Sequence, residues 1–549
     1  MRFPLLAGSV FSLGLLLVAS ACTTETIIQT VPPDNADDGS SGSSGRGSSG
    51  RKPSTSSGGE EEEEEGSSSG GSSSGGSSSG GSSSGGPSQG LKSDVLAQGT
   101  VSLLGLAGDD AIYFEFSQDT LSLRAVPIAG GAPTKIADIG DNDDAVVSGG
   151  AVAIWTSISG RRGTLNVWTR ATGLKTNVAT DSVYGLFAAS EDGTRIAFSQ
   201  NATLNEEGTA LQSTQVGIRD TDAASDAATL TGTTAVNLVT QSCPPYWGFV
   251  GKVFIAAHCT GTASAGSIAT NAKVLRVPDG APATVTRLDA ASLTVAGTAV
   301  PFWIADATAS KVLYITTSNS QARVAQVGGD TLDFDTNVAQ VLLLSDGSAV
   351  IYRKATGELV KATTADKPVT TTLAEGVKAV VALSRDERKL TFRKLDRTAQ
   401  GLSDLHVVDH TAATPSPVAI ESTAAVFPTG FTATSSHALF LGDFSATGTA
   451  LKAIPVGGGT ATAIATGTIV GALSPAEGTG VVFLSNPKQL GTPPSAFNVF
   501  DLNFVDVSGG QTAKINESVP QGEYVFRGKR LVYSKLAAQG SGLYAVTLP

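Results

Sequence analysis

The residue with the most definite chemistry in this sequence is Cys22, which follows a short apolar run at the amino terminus. Arg2 supplies a positive start, and the run ends in small residues, Val18-Ala19-Ser20-Ala21-Cys22. Residues 1–21 therefore indicate a signal peptide, since the run is too short to span a bilayer comfortably. The alternative is an ordinary secretory signal cut after Ala21, in which case Cys22 has no role of its own.

The segment that ends at Cys22 resembles a bacterial lipobox, although Ala19 stands where such boxes usually carry Leu. The resemblance implies that the thiol of Cys22 receives a diacylglyceryl group and that Cys22 becomes the mature amino terminus. Thr23 is not the Asp that resembles an inner-membrane retention signal in some diderm bacteria. The sequence therefore favours a cell-envelope lipoprotein sorted to the outer membrane, and leaves open which face of that membrane the protein occupies.

The other two cysteines, Cys243 and Cys259, are candidates for a disulfide. The chain has three cysteines, so a lipidated Cys22 leaves an even count, as expected for one bridge in an oxidising compartment. Cys243 and Cys259 fall on adjacent strands of an expected antiparallel hairpin, which can bring their Cα atoms within bridging range. The alternatives are two buried thiols, or a metal site with His258, whose side chain points to the opposite face of the strand.

A run of acidic side chains is the candidate metal site. Asp141, Asp143 and Asp144 crowd carboxylate oxygens into one turn, and oxygen is the ligand that Ca²⁺ prefers. The run lacks the spacing and the glycine of a known calcium loop, so the alternative is a plain acidic turn.

Three aromatic residues, Tyr246, Trp247 and Trp303, are candidates for lining a binding funnel. Buried packing is the default interpretation for side chains of this size. These residues therefore mark a binding surface only if the fold leaves them open to solvent.

No catalytic motif rises above chance in this sequence. There is no Ser-His-Asp order, no metal-ligand motif and no phosphate loop, and the chain has only four histidines. Asp404, His406 and His410 share one parity of an expected strand and could form a ligand cluster, but a strand face exposed to solvent explains them too. The sequence favours a protein that is not an enzyme and that needs no cofactor.

Composition separates the chain into three parts. Residues 1–21 are the signal peptide, and residues 22–90 are rich in Ser and Gly with a run of glutamates from Glu60 to Glu65. Such a segment buries too little apolar surface to offset the loss of chain entropy, so we expect a disordered tether. Residues 91–549 carry hydrophobic alternation instead. The net charge of -12 makes nucleic acid an improbable partner.

Residues 91–549 repeat a short apolar strand preceded by a polar turn. The unit is plainest at Ser190-Glu191-Asp192-Gly193-Thr194-Arg195-Ile196-Ala197-Phe198, where Asp-Gly tolerates the positive φ of a tight hairpin. About ten such strands begin 38 to 59 residues apart, and no helical pattern lies between them. This period predicts an all-β protein, a β-propeller of four-stranded antiparallel blades. A single ring is favoured, while two smaller rings or one ring of eight blades remain open.

The last unit ends at Pro549 after its third strand. Residues 93–98 form a strand that belongs to no other unit, and we expect this strand to complete the last blade. Pairing Val95 with the strand around Tyr544 closes the ring and hides a sheet edge.

The Ser190–Phe198 unit resembles the repeat of TolB-type, WD-repeat-like bacterial propellers, whose pattern is Ser-Pro-Asp-Gly, a basic residue and Ile-Ala-Phe. Glu191 replaces the Pro, and partial copies stand at Leu344-Ser345-Asp346-Gly347 and Leu473-Ser474-Pro475-Ala476. The α/β domain that precedes the TolB propeller is absent, so the resemblance does not carry the Tol-Pal role over.

Two functions fit these observations. The first is a monomeric, lipid-anchored binding or scaffold module of the cell envelope, whose propeller engages a protein or a glycan. The alternative is a propeller enzyme, similar to some lyases or glycosidases, with a carboxylate or Ca²⁺ site in the central funnel.

Overall fold

The structure is a computed structural model that describes residues 29–30, 91–117, 120–204, 211–221, 246–259, 272–277, 279, 303–316, 319–394, 403–445, 448–491, 497–508, 511–537 and 539–549. The signal peptide, Cys22 and nearly all of the tether lie outside these residues. Within the tether, Gln29–Thr30 forms a two-residue strand that pairs antiparallel with Gln340 and Val341. This pairing departs from the expectation that nothing folds there.

The described chain from residue 91 onward is all-β, and ten units of consecutive antiparallel strands form one ring. We number these units blades 1 to 10 in chain order. The first five blades comprise the following strands: Thr100–Ala107, Asp110–Phe116, Leu121–Pro127 and Thr134–Ile139 in blade 1; Asp144–Ser148, Ala151–Ser159, Arg162–Thr169 and Gly173–Val183 in blade 2; Phe187–Ala189, Arg195–Leu204 and Leu211–Asp220 in blade 3; Tyr246–Val250, Val253–Cys259 and Ala272–Val277 in blade 4; Ile304–Ala305, Lys311–Ile315, Ala322–Gln326 and Leu332–Asp333 in blade 5.

The remaining blades follow the same order. They comprise Val338–Leu343, Ala349–Lys354, Leu359–Thr363 and Thr370–Ala374 in blade 6; Ala379–Leu383, Lys389–Arg393, Ser403–Asp409 and the start of Val418–Phe431 in blade 7; the end of Val418–Phe431, His437–Ser445, Gly448–Pro455 and Thr462–Gly467 in blade 8; Ile469–Leu473, Gly480–Leu490, Phe497–Asp506 and Ala513–Pro520 in blade 9; Tyr524–Arg527, Arg530–Lys535, Gly542–Thr547 and Asp94–Gln98 in blade 10.

The strand Asp94–Gln98 closes the ring, as the sequence predicts. Asp94–Gln98 pairs antiparallel with Gly542–Thr547, and Val95 lies opposite Tyr544. Leu96 is buried in the cluster that joins blade 10 to blade 1. Arg530 of blade 10 adds an ion pair to Asp94 at 2.8 Å. Closure therefore places the last blade directly beside the first.

The hydrophobic core lies between neighbouring blades. The second strand of blade 2 begins with five buried residues in succession, Ala151 to Trp155, because the adjacent blades cover both of its faces. Ile154 packs towards blade 1, whereas Trp155 packs towards blade 3. Alternate side chains of one strand thus belong to different interfaces. The described residues contain no helical segment long and apolar enough to cross a membrane.

Candidate functional site

One end of the ring carries the turns that join first to second strands and third to fourth strands; we call this end the turn face. Adjacent turns contact each other there. Gly108 N donates to Gly149 O at 3.4 Å, and Gly150 N donates to Ser190 O at 2.9 Å. Backbone contacts of this kind link blades 1, 2 and 3 into a continuous surface.

A lysine or arginine begins the second strand in four blades, and three of these side chains reach the next blade. Arg195 Nη1 donates to Lys252 O at 2.8 Å. Lys311 Nζ donates to Gly347 O at 2.9 Å. Arg530 Nε donates to Ile128 O at 3.1 Å. The basic residue of the repeat therefore joins blades by satisfying a carbonyl group of the neighbouring unit.

Blade 1 inverts the charge at this position, because its second strand begins with Asp110. A carboxylate cannot donate to a carbonyl oxygen. Its Oδ1 lies instead 3.4 Å from Nη1 of Arg170, which follows the third strand of blade 2. Only 6% of the Asp110 side chain is exposed, against 57% of Arg170. The inverted contact buries an acid at the turn face.

Asp110 lies in the wall of a cavity of about 740 Å³ that spans blades 10, 1, 2, 3 and 4. Four carboxylates and three cations line the cavity together with turn glycines and small residues. The charged lining residues are Asp109, Asp110, Glu191, Asp192, Arg170, Lys252 and Arg527. The charged residues of the cavity wall therefore include one more acid than base.

Arg527 spans the mouth of the cavity. Its Nε lies 3.1 Å from Asp109 Oδ1, and its Nη1 lies 3.3 Å from Glu191 Oε1. One guanidinium group of blade 10 thus bridges carboxylates from blades 1 and 3. Lys252 of blade 4 pairs with Asp192 of blade 3 at 3.1 Å.

The surroundings shift the pKa values of two cavity acids in opposite directions. Burial raises the pKa of Asp110, which Arg170 partly offsets. Burial acts in the same sense on Asp192, but hydrogen bonds from Ser190 and Thr194 and from Lys252 outweigh it and bring the pKa to about 2. Asp192 therefore stays ionised, while Asp110 is the carboxylate whose charge is poorly compensated.

The acidic turn that sequence analysis singled out lies at the opposite end of the ring, between blades 1 and 2. Asp143 accepts backbone hydrogen bonds from Ser157 and Gly140, at 2.9 and 3.0 Å. Asp144 accepts one from Ala145 at 2.7 Å. These contacts give Asp143 and Asp144 a structural role in the turn that also contains Asp141. Among the described residues, no three His, Cys, Asp or Glu side chains form a group that could hold a metal.

Two of the three aromatic candidates come together at the junction of blades 4 and 5. Trp247 is half-buried and packs against Phe254, with ring centroids 5.9 Å apart. Trp303 is also half-buried, and its ring lies 3.7 Å from the position of a Cβ at Gly248. Packing accounts for Trp247, and only the backbone of Tyr246 is described.

The predicted disulfide between Cys243 and Cys259 falls partly outside the described residues. Cys243 lies outside the described residues, and Cys259 is described only as the last residue of its strand, opposite Ala272. The disulfide therefore stays a prediction, which a peptide map under non-reducing conditions tests.

The histidine cluster does not form as a unit. His406 Nε2 lies 2.8 Å from Asp404 Oδ2, whereas His410 is bound separately to the carbonyl of Glu387. The interpretation of a solvated strand face is wrong for Asp404, which is 3% exposed. Its carboxylate is held by the backbone of Lys394 as well as by His406.

No protein-family model matches the chain, and no curated relative matches it. Solved structures that share partial similarity include a tricorn protease, at 12% identity and a TM-score of 0.31 over 80% of this chain and 56% of that one. TolB from Acinetobacter baumannii is 11% identical, with a TM-score of 0.24 over 44% of this chain and 64% of that one.

A structure of the eukaryotic initiation factor is 12% identical, with a TM-score of 0.38 over 74% of this chain and 96% of that one. The chain thus spans little more than half of the tricorn protease structure that it matches. Similarity at this level carries no argument about fold or activity.

The residues that line the cavity were not predicted from the sequence. Asp110, Arg170 and Arg527 lie in different blades and gain significance only when the turns converge. One signal was available: Asp110 occupies the place that Arg195 holds in the clearest repeat. An acid at a position that is basic in several units cannot donate the hydrogen bond that joins neighbouring blades, so its role differs there.

Proposed function

We propose that this chain is a lipid-anchored protein of the bacterial cell envelope and that its propeller is a binding module for a protein partner. The observation that carries the proposal is the charged cavity of about 740 Å³ on the turn face. Concave sites with a few convergent polar groups are where proteins bind ligands. A ring of blades holds such a site rigidly, because each blade is packed between two others.

The anchor in this proposal is Cys22, and residues 23–28 connect it to the strand Gln29–Thr30, which pairs with blade 6. Seven residues of extended chain reach at most about 25 Å, so the anchor holds blade 6 close to the lipid surface. Thr23, which is not the Asp of an inner-membrane retention signal, supports the outer membrane as the location.

Affinity capture tests the binding function. The mature-length chain, residues 22–549 with Cys22→Ser, is immobilised and exposed to detergent extract of the envelope. We expect a protein that is retained reproducibly by the unmodified cavity and reduced on a variant carrying Asp109→Asn and Glu191→Gln. A matched control carries Asp443→Asn, which removes an exposed carboxylate paired with Lys452 on blade 8. A chain that retains nothing above the level of an unrelated lipoprotein refutes the binding function.

A carboxylate enzyme is the second candidate, and one observation favours it. Asp110 and Asp192 line the same cavity with pKa values moved in opposite directions, the arrangement that separates an acid from a base. Hydrolysis or elimination of a panel of glycosides by the unmodified chain, lost in Asp110→Asn, would support this function. Equal background rates with both proteins would dismiss it.

A further inference from the structure

The cavity on the turn face contains a buried acid at a position where three other blades place a base. In blades 3, 5 and 10 the corresponding basic side chain satisfies a carbonyl group of the next blade. Asp110 of blade 1 cannot donate such a hydrogen bond, and it contacts blade 2 through its ion pair with Arg170. Asp110 therefore adds a buried negative charge where the repeat has a positive one.

The partner of Asp110 compensates its charge incompletely. Arg170 is the only ion-pair partner of Asp110 among the described residues, and the separation of 3.4 Å exceeds that of a good charged hydrogen bond. Arg170 is itself more than half exposed. A carboxylate removed from water without full pairing is unfavourable, and a second cation at the cavity wall would relieve that cost.

The mouth of the cavity already shows how a cation is accepted. Arg527 enters from blade 10 and contacts both Asp109 and Glu191. The side chains of Arg527, Asp109 and Glu191 are 42%, 80% and 50% exposed. Ion pairs this exposed contribute little stability, so an incoming cation can replace Arg527 at small cost.

We propose that the cavity binds a primary amine or a guanidinium group, presented by a Lys or Arg side chain of a protein partner. The incoming group displaces Arg527 from Asp109 and Glu191 and approaches Asp110 deeper in the wall. This inference rests on the proposed binding function and names the chemistry that the site recognises. Arg527 acts as an internal competitor for the carboxylates. The proposal therefore predicts that some substitutions weaken binding and that removal of Arg527 strengthens it.

Fluorescence anisotropy with a labelled Gly-Arg-Gly-Arg-Gly peptide provides the test, on residues 22–549 carrying Cys22→Ser. Asp110→Asn keeps the shape of the side chain, and we expect it to weaken binding about tenfold, as loss of a hydrogen bond to a charged group does. Arg527→Ala removes the competitor, and we expect it to tighten binding by up to about fivefold. A purely structural role of these residues predicts no gain of affinity from any substitution.

Matched controls come from an exposed ion pair on blade 8. Asp443 and Lys452 lie 2.7 Å apart there, so Asp443→Asn and Lys452→Ala remove the same charges at a distant place and should leave binding unchanged. Thermal melting of each variant shows that it is folded. The same peptide with Glu in place of Arg should not bind, and raised salt should weaken the Arg peptide.

Two sources of the cation are distinguished by competition. If spermidine displaces the peptide at a matched concentration of charge, a small amine is an equivalent ligand. If spermidine does not displace the peptide, the site requires a peptide segment. Both outcomes support recognition of a cation. Equal affinity in Asp110→Asn, equal binding of the Glu peptide, or no binding overturns the inference. A partner captured equally by the unmodified chain and by Asp110→Asn would overturn this inference and leave the binding function standing.

Discussion

Replacing Gly150 by alanine tests how tightly the turns of blades 2 and 3 pack against each other on the turn face. A Cβ at Gly150 would lie 2.4 Å from Gly193 N and 2.6 Å from the carbonyl carbon of Asp192. Both are backbone atoms, which cannot rotate away. Gly150→Ala therefore forces the turn of blade 3 away from that of blade 2, and Glu191 and Asp192 move with it.

The size of the effect follows from these distances. Relieving the overlap needs a shift of about 1 Å, since ordinary contacts begin near 3.4 Å. Overpacking of this kind costs roughly 1–3 kcal/mol. Loss of the hydrogen bond from Gly150 N to Ser190 O adds about 0.5–1.5 kcal/mol. We therefore expect Gly150→Ala to destabilise the contact by about 2–4 kcal/mol, which corresponds to roughly 30- to 1,000-fold faster amide exchange.

Hydrogen exchange read by mass spectrometry measures this locally, on peptides that cover residues 148–151 and 190–195. Gly471→Ala is the control, because Gly471 lies in the first strand of blade 9 and nothing lies within 4 Å of its Cβ position. We expect Gly471→Ala to leave exchange at both peptides unchanged. Wild-type protection in Gly150→Ala would show that the turns are not in contact and would refute the cavity geometry.

Three further predictions concern closure, electrostatics and the anchor. Leu96→Ala should destabilise the protein towards urea by about 2–3 kcal/mol because Leu96 is buried at the closing strand, while its exposed neighbour in Val95→Ala should change stability by less than about 0.5 kcal/mol. The pKa of Asp192 is lowered to about 2, so its stabilising effect is present above its ordinary pKa and is lost as the pH falls through about 2. Asp192→Asn should therefore be less stable than wild type in urea at neutral pH, and the difference should shrink in strong acid. Cys22→Ala should move the protein from the membrane fraction to the soluble fraction, and a variant that stays with the membrane would contradict lipidation.

The blades were predictable because they depend on local pattern. An Asp-Gly turn followed by an apolar strand, as at Asp192-Gly193 and Ile196-Ala197-Phe198, predicts a hairpin within nine residues. Ring closure was predictable for a different reason, since the strand around Val95 belonged to no unit and the last blade lacked one strand. One local feature escaped: the single strand Val418–Phe431 serves blade 7 at its start and blade 8 at its end.

The cavity was not predictable, because its residues meet only through the ring. Arg527 and Glu191 lie 336 positions apart, and repeat spacing does not say how far the turn of one blade leans across its neighbours. The acidic run at Asp143 and Asp144 was a candidate metal site on the basis of its charge alone. The structure gives those carboxylates backbone donors, which a sequence pattern does not reveal.

Ring closure is the claim on which the cavity depends, because it sets Arg527 of blade 10 beside Asp109 of blade 1. Cysteines at positions 95 and 544, in Val95→Cys with Tyr544→Cys, test it directly, since these residues lie opposite each other on paired strands. Mild oxidation should link the two positions in nearly all molecules, as seen by mass spectrometry of non-reduced peptides. Val95→Cys with Val327→Cys, an exposed position in blade 5, should give no link. An unlinked 95–544 pair, or equal linking of both pairs, would contradict a ring closed by the strand Asp94–Gln98.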